Sequence, residues 1–436
     1  MDIIDAVIGL DFGTATTKVV VQTPYYNNKM SVPVSFDAIN PAHSYLLPSQ
    51  IYVNPDGQVS LTNLADFTVE TNLKYRLIKS KRKTEDLLNS RDGVLTVLFL
   101  SSVIAYTKNW YIKNYKNKYF PNSQIRWAIN IGIPSNGYDD ENQVIFYRTI
   151  TWIAYRISNY IDSLNVDKLK NHILSLTKDL PNYINVVPEV ISEAIGYARS
   201  SERNPGLHFI MDIGASTLDF TGFILEENQG DDLYPILYAD VQLLGALELH
   251  RVRQKKIFLK LLGWYDEQMN SYESYKAIPN SIDGYFPDND YINSHFLEDF
   301  QKEFSNRCRT SLNKMICEVR KRRDPHSDRW KELLPIFVCG GGSHLDFYHD
   351  IIKQSEFNLK DTIKGFKGYN KKTLNKPDNL IVSGDIDYNR LAVAYGLSTP
   401  YDDIGEIKPQ YRIRDIETKY SQKYDYDNTP YNKDQV

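Results

Sequence analysis

The chain of 436 residues carries a formal net charge of -4 and three cysteines. This length predicts two or three compact units, and the slight acidity argues against a nucleic-acid coat or a cationic membrane-surface protein. The cysteines form no Cys-x-x-Cys pair, no apolar run reaches the roughly 20 residues that cross a bilayer, and acidic Asp2 and Asp5 stand where a signal peptide is basic. We therefore expect a cytoplasmic protein without structural disulfides or membrane spans.

Two similar hairpins come first in the predicted order of elements. Residues 6–21 hold two apolar runs separated by the turn Asp11-Phe12-Gly13-Thr14. About 200 residues later, residues 208–224 repeat this pattern around Asp212-Ile213-Gly214-Ala215-Ser216-Thr217. Because two β-rich runs joined by a Gly/Thr turn are typical of a hairpin, we expect two related halves that each begin with strand, Asp-x-Gly turn and strand.

Further helices and strands are predicted around these hairpins. Apolar side chains recur at helical spacing in residues 94–115, 145–163, 187–199 and 246–263. Continuous apolar runs predict buried strands at residues 125–133 and 333–338. Strands that alternate with helices are typical of an α/β architecture, which is the fold class that we expect.

We divide the chain into two domains and a tail. The repeated hairpin places the boundary near residue 200, so the domains are residues 1–200 and 201–397. Within the second domain, residues 264–299 are rich in Tyr, Asn, Asp and Ser, which predicts a variable insertion. From residue 398 onward the chain loses its core residues, and we expect residues 398–436 to form a polar, disordered tail.

The two Asp-x-Gly turns have the composition of a phosphate site. Gly and Thr turns let backbone N–H groups approach a phosphate closely, and a neighbouring carboxylate suits Mg²⁺, which prefers oxygen ligands. Two facing hairpins would cradle phosphates from opposite sides, with Asp11 and Asp212 directed at the metal and at an attacking water. One such turn alone would be ordinary, but two copies half a chain apart favour a functional pair.

A third glycine cluster and one acidic residue add to this pattern. Residues 340–342 are glycines that follow a predicted strand and precede an amphipathic stretch at 345–352. Such a loop would let a base or ribose lie against the backbone, although taken alone it reads as a tight turn. Glu189 opens a predicted helix after Pro188, where it would orient a water for attack on a phosphate or simply favour the helix dipole.

In this order the motifs resemble the superfamily of actin, sugar kinases and heat shock protein 70 ATPases, and most closely its DnaK-like branch. The matching segments are residues 8–14 and 211–219 (phosphate loops), 337–343 (adenosine loop), and 189–198 and 391–396 (connecting helices). The resemblance covers residues 5–397. It implies a two-lobed actin-like ATPase fold of duplicated ribonuclease H-like domains, with ATP or ADP and Mg²⁺ in the cleft between the lobes.

The resemblance also implies roles for individual residues. The catalytic residues would be Asp11, Lys74, Glu189 and Asp212. The positive charge near the γ-phosphate would come from Lys74, with Lys18 and Arg76 as its rivals. The nucleotide would contact Gly13, Thr14, Gly214, Thr217, Gly340, Gly341 and Gly342. The metal would be held by Asp11, Asp212 and Asp219.

Some departures from the family pattern bear on function. Ala215 and Ser216 replace two glycines of the second phosphate loop, and Arg390 replaces an acid of the second connecting helix. The residues after Leu397 are too few for a peptide-binding clamp. We therefore expect a heat shock protein 70-like, ATP-hydrolysing switch that acts on a separate protein partner. The alternatives are a self-assembling actin-like or ParM-like filament protein and a sugar kinase, and we expect neither a specific nucleic acid nor a membrane as partner.

Overall fold

The computed structural model describes residues 2–416 except 27, 80–83, 178, 267–277, 286–300 and 385. The chain has a mixed α/β structure in which two large sheets, each with parallel and antiparallel strands, are accompanied by helices. No helix within the described ranges is long and apolar enough to cross a membrane.

The N-terminal half of the chain forms one large sheet, one small sheet and the helices around them. Its strands are β1 (Ile3–Phe12), β2 (Thr16–Gln22), β3 (Ser31–Pro33), β4 (Leu47–Pro48), β5 (Ile51–Val53), β6 (Val59–Ser60), β7 (Thr68–Glu70), β8 (Gln124–Ile133) and β9 (Ile184–Pro188). Its helices are α1 (Leu73–Lys79), α2 (Thr84–Leu88), α3 (Arg91–Tyr111), α4 (Asn117–Tyr119), α5 (Glu141–Ile157), α6 (Val166–His172) and α7 (Glu189–Ala198).

The N-terminal sheet has the strand order β3-β2-β1-β8-β9, and β4 also pairs with β2. β2 runs antiparallel to both β1 and β3, whereas β8 lies parallel to β1 and β9 lies parallel to β8. The short strands β5, β6 and β7 form a separate small sheet in the order β6-β5-β7. Because α1 follows β7 within a few residues, this small sheet carries α1 to its position.

The C-terminal half is built around the second large sheet. Its strands are β10 (Gly206–Ile213), β11 (Leu218–Asn228), β12 (Asp231–Gln242), β13 (Leu334–Cys339), β14 (Tyr369–Lys372) and β15 (Glu406–Lys408). Its helices are α8 (Ala246–Leu262), α9 (Lys302–Glu318), α10 (Asp346–Thr362), α11 (Ala392–Leu397) and α12 (Tyr401–Ile404). The strand order is β14-β13-β10-β11-β12-β15.

The two large sheets repeat one arrangement of strands. Each contains an antiparallel hairpin, β1–β2 or β10–β11, that the sequence predicts. A third strand, β3 or β12, extends the hairpin on one side in antiparallel orientation. Two parallel strands, β8 and β9 or β13 and β14, extend it on the other side. The two Asp-x-Gly turns therefore join equivalent strands of the two sheets.

Helices α7 and α11 connect the two sheets. A Cβ atom on Gly396 of α11 would lie 1.9 Å from the Ser192 carbonyl oxygen of α7, so glycine allows the two helix backbones to touch. At Gly9 of β1, a Cβ atom would lie 2.2 Å from the Ala394 carbonyl oxygen, so α11 also contacts the N-terminal sheet closely. One apolar cluster joins these helices with side chains of both sheets, including Val20, Ile191, Ile210, Phe223 and Ala392.

The end of the described chain corrects one prediction. The expected disorder from residue 398 is wrong for residues 398–416, which include α12 and β15. β15 pairs with β12 as a parallel edge strand, and Ile404 is buried in an apolar cluster with Val187. Backbone pairing contributes much of this attachment, and an apolar pattern does not reveal it. The remaining tail, residues 417–436, lies outside the described residues.

The same segment is also attached to the N-terminal sheet. The Asn130 side-chain amide, on β8, donates hydrogen bonds to the carbonyl oxygens of Leu397 (2.8 Å) and Thr399 (2.7 Å). Asn130 is buried, so these two bonds replace the water that its amide would otherwise bind. The chain after α11 therefore contacts both large sheets.

Most of the predicted insertion at residues 264–299 lies outside the described residues. Of its described residues, 278–285 lie against α8. Arg253 of α8 is almost fully buried and donates to the Pro279 carbonyl oxygen at 3.3 Å. The His250 Nδ1 atom lies 2.5 Å from the Tyr285 hydroxyl oxygen. These contacts hold the segment at one side of the cavity described next.

Candidate functional site

Loops that follow β1, β10 and β13 meet around a cavity of about 280 Å³, which we call the cleft. Its wall contains most of the predicted site residues: Asp11, Gly13, Thr14, Lys74, Glu189, Asp212, Gly214, Thr217, Gly340, Gly341 and Gly342. Because β1 and β10 are equivalent strands of the two sheets, the two Asp-x-Gly turns open on the same space from different halves of the chain.

The two hairpins differ in the residue that faces the leading aspartate. In the register of β1 and β2, Asp11 is opposite Lys18, and the Lys18 ammonium lies 2.7 Å from the Asp11 carboxylate. In the register of β10 and β11, Asp212 is opposite Asp219. Since opposite residues of an antiparallel pair share a face, the first hairpin presents an ion pair and the second presents two acids. The repeated hairpin is thus electrostatically asymmetric.

A second ion pair joins α1 and α7 at the cleft wall. The Lys74 ammonium lies 2.6 Å from the Glu189 carboxylate, and both side chains are almost fully buried. Gly132 of β8 makes room for Glu189, because a Cβ atom there would lie 2.8 Å from Glu189 Cγ. Burial lowers the pKa of Lys74, but Glu189, Tyr147 and Asp11 together outweigh burial and hold that pKa above its usual value. Burial raises the pKa of Glu189, and Lys74 opposes the rise.

Two further carboxylates, Glu193 and Asp219, are buried near the cleft, and Asp212 is half-buried in its wall. Burial, reinforced by the charge of Glu189, raises the pKa of Asp212 to about 7. Burial and then Asp212 raise the pKa values of Glu193 and Asp219 well above the usual range. Asp219 Oδ1 lacks a hydrogen-bond partner, and the carboxylate oxygens of Glu193 meet no N–H or O–H donor, only the weakly donating Cys339 thiol. A cation that enters the cleft would therefore displace protons from these acids.

The glycine loop after β13 is fixed by its fit against the end of β10. Gly340 has a φ angle of +80°, and a Cβ atom on it would lie 2.1 Å from Asp212 Oδ1. The Gly342 N–H donates to the Ile213 carbonyl oxygen at 2.9 Å, and a Cβ atom on Gly342 would lie 2.4 Å from Ile213 Cγ2. Only glycine allows the loop to approach the Asp212 turn this closely.

Polar side chains surround the outer part of this loop. A Cβ atom on Gly341 would lie 3.3 Å from Arg390 Nε, so the Arg390 guanidinium packs directly beside the loop. The His344 Nε2 atom lies 2.7 Å from Asp387 Oδ2, and both residues belong to the cleft wall. Arg390 thus lines the cleft itself.

The oxygen-rich residues of the cleft fit a hard cation that also binds phosphate and water. Mg²⁺ uses one or two protein carboxylates and completes its shell with water and phosphate oxygens. Asp11 and Asp212 line the cleft, and Asp219 offers an oxygen without a hydrogen-bond partner. Within the described parts of the chain, no three His, Cys, Asp or Glu side chains are grouped so that they could hold a metal ion by themselves. The cleft therefore suits an ion whose ligands are partly protein carboxylates and partly water and phosphate oxygens.

The predicted residues are placed as follows. All of them line the cleft except Asp219, which lies on β11 opposite Asp212. Lys18, one rival of Lys74, also lines the cleft. The other rival, Arg76, forms ion pairs with Glu70 and Asp92 and does not belong to the wall.

The sequence interpretation missed Glu193 as well as the insertion residues Ile278 and Asn280, which all line the cleft. Glu193 stands four residues after Glu189 on α7, a spacing that places both on one face of the helix, and this spacing was an available signal. Nothing in the composition of residues 264–299 points to a place at the cleft. No protein-family profile and no curated protein matches the chain.

Proposed function

We propose that the protein is a Mg²⁺-dependent, ATP-binding and ATP-hydrolysing member of the actin, sugar kinase and heat shock protein 70 superfamily, with its two-lobed fold. In this proposal it is a nucleotide switch of the heat shock protein 70 type that acts on a separate protein partner in the cytoplasm. Two sheets with the same order of five strands support the fold, because duplicated ribonuclease H-like domains require such a repeat.

One observation carries the proposal: three glycine-containing loops from two related sheets converge on one cleft. The turns at Asp11 and Asp212 come from equivalent hairpins, and the Gly340–Gly342 loop adjoins the second. Backbone N–H groups of such loops bind phosphate oxygens, and the close approach allowed by glycine suits a nucleotide. A purely structural pair of turns would not require a third glycine loop and two lysines, Lys18 and Lys74, around the same space.

The side chains of the cleft would divide the chemistry among them. Lys18 and Lys74 would attract the phosphate oxygens, which compete with Asp11 and Glu189 for the two ammonium groups. Glu189 and Asp212 would orient the attacking water, and the Asp212 carboxylate, which a bound cation would keep ionised, would accept its proton. Bound Mg²⁺ would offset the charge of the phosphates.

The position of the cleft would connect ATP hydrolysis to the relative arrangement of the two sheets. Glu189 begins α7, and α7 contacts α11 at Gly396, so a change around the terminal phosphate acts directly on the helices that connect the sheets. Two arrangements of the sheets that bind ATP and ADP with different affinity would make the nucleotide a signal for the partner.

The test is ATP binding and phosphate release by the purified protein, with and without Mg²⁺. We expect saturable ATP binding in the wild type, and a loss of phosphate release of about 100-fold or more in Asp212→Asn. The matched control is Asp361→Asn, at an exposed position near the end of α10, which should turn over ATP like the wild type. Absence of ATP binding in the wild type, or equal turnover in both variants, would contradict the proposal.

The same preparation separates the alternative functions. The partner switch predicts a species that stays small in sedimentation at every protein concentration, with or without Mg-ATP. If the protein pellets only at high concentration and only with nucleotide, the filament protein becomes the better-supported function. A phosphorylated sugar in place of free phosphate would replace it by a sugar kinase.

A further inference from the structure

A second cavity of about 770 Å³ lies in the N-terminal half and shares no wall residue with the cleft. It opens between the small sheet, at β6, and the ends of α3 and α5. Cavities of this size hold small organic ligands. Its wall is partly aromatic, with Tyr106 from α3, Trp127 from β8 and Tyr155 from α5.

The cavity contains one buried cation. Lys108, near the end of α3, is only 8% exposed and is the sole Lys or Arg among the described residues of the wall. Its ammonium donates to Ser158 Oγ at 2.9 Å and to Asn159 Oδ1 at 3.5 Å, and it lies 3.9 Å from the centre of the Tyr155 ring. No carboxylate forms an ion pair with it within the described structure, and burial lowers its pKa to about 8.

From this arrangement we propose that the cavity binds a small aromatic monocarboxylate, with its carboxylate on the Lys108 ammonium and its ring against Tyr106, Trp127 and Tyr155. A buried ammonium with neutral partners lacks an opposite charge that a carboxylate would supply. The one ammonium group of the wall can neutralise one negative charge, as on a monocarboxylate. A phosphate dianion would keep its second charge without a cation beside it. The aromatic side chains of the wall favour a ligand with an aromatic ring.

The competing explanation is that Lys108 serves only the packing of helices. Ser158 caps the end of α5, where a cation interacts favourably with the helix dipole. A packing role would change stability when Lys108 is replaced, but it would give no preference for an anion over a neutral molecule of the same shape. The experiment therefore measures that preference.

Isothermal titration calorimetry with benzoate, benzyl alcohol and inorganic phosphate provides the test. We expect benzoate to bind the wild type about tenfold more tightly than benzyl alcohol, and phosphate not to bind at this cavity. Lys108→Met should remove the preference, while the control Lys118→Met, at an exposed lysine 5.1 Å from the Tyr119 ring, should keep it. Equal binding of benzoate and benzyl alcohol, no binding of benzoate up to about 10 mM, or a preference that survives Lys108→Met would overturn the proposal.

Two measurements keep the test decisive if Lys108→Met does not fold. In the wild type, affinity for benzoate should fall toward that of benzyl alcohol as the pH rises from about 7 to about 9.5, because Lys108 loses its proton. The other titratable wall groups are Tyr106, Tyr155 and Asp162, and burial raises the pKa values of both tyrosines. Benzoate should also change tryptophan fluorescence in the wild type and not in Trp127→Phe. An affinity independent of pH, or an equal change in Trp127→Phe, would refute the assignment.

Discussion

Replacement of the buried acid Glu193 by glutamine should make the protein more resistant to unfolding as the pH rises. Glu193 is 1% exposed, and its carboxylate oxygens meet no N–H or O–H donor; the weakly donating Cys339 thiol lies beside them. Burial and then Asp212 hold its pKa well above the ordinary value of 4.5. The folded wild type therefore keeps a proton on this side chain in a pH range where the unfolded chain has released it.

The magnitude follows from this difference of one proton. Above pH 4.5 and below the folded pKa, Glu193 alone lowers the free energy of unfolding of the wild type by about 1.4 kcal/mol per pH unit. Glutamine has the same shape and no proton to lose, so Glu193→Gln escapes this decline. The difference between variant and wild type should grow in favour of the variant by about 3 kcal/mol over two pH units.

Urea unfolding at several values between about pH 5 and about pH 7.5, followed by tryptophan fluorescence, measures the difference directly. The matched control is Glu227→Gln, at an exposed position near the end of β11, whose difference from the wild type should stay constant with pH. If Glu193→Gln and wild type lose stability in parallel over this range, Glu193 is ionised in the folded protein and the argument from burial is refuted.

Three further predictions concern buried groups. Gly340→Ala should destabilise the protein by at least about 1–2 kcal/mol and abolish ATP binding, because the new Cβ atom would collide with Asp212 and the backbone has a φ angle of +80°. Urea unfolding measures the loss of stability, and calorimetry measures ATP binding. Unchanged ATP binding would argue against a nucleotide-binding role for this loop. Lys74→Met should cost about 3–5 kcal/mol by leaving Glu189 buried without its partner, whereas the double variant Lys74→Met/Glu189→Gln should recover most of that loss in urea unfolding. Burial lowers the pKa of His208 to about 4, so the unfolded chain binds a proton there before the folded protein does. The free energy of unfolding should therefore fall by about 3 kcal/mol from this group as the pH drops from about 6.5 to about 4. A His208→Gln variant whose stability has the same pH dependence as the wild type would contradict this.

Local signals explain which parts of the architecture could be predicted from the sequence. The hairpins at Asp11 and Asp212 are encoded by apolar runs that flank a short polar turn, and both run and turn are visible in a few residues. The pairing of β15 was not predictable, because Glu406–Lys408 is an edge strand whose main contribution is backbone hydrogen bonding to β12. Composition alone carries no trace of such a contact.

At the candidate site, the sequence predicts the residue types but not which face of each helix is directed at the cleft. Lys74 and Arg76 are two residues apart on α1, so they point to different sides of the helix, and the sequence does not say which side meets the cleft. The structure turns Lys74 toward Glu189 and leaves Arg76 with Glu70. Glu193 depends in the same way on the rotation of α7, which is fixed by the close contact with α11.

The attachment of the chain after α11 to both sheets has a mechanical consequence. Residues 400–405 run from Thr399, held by Asn130, to β15 on the far edge of the C-terminal sheet, and α12 coils four of them. A helical residue advances the chain by about 1.5 Å and an extended residue by about 3.3 Å. Complete unfolding of α12 would therefore lengthen residues 400–405 by only about 7 Å. Any wider separation of the sheets along this edge must first break the Asn130 bonds or strip β15 from β12. This short connection therefore limits how far the two sheets can separate along this edge.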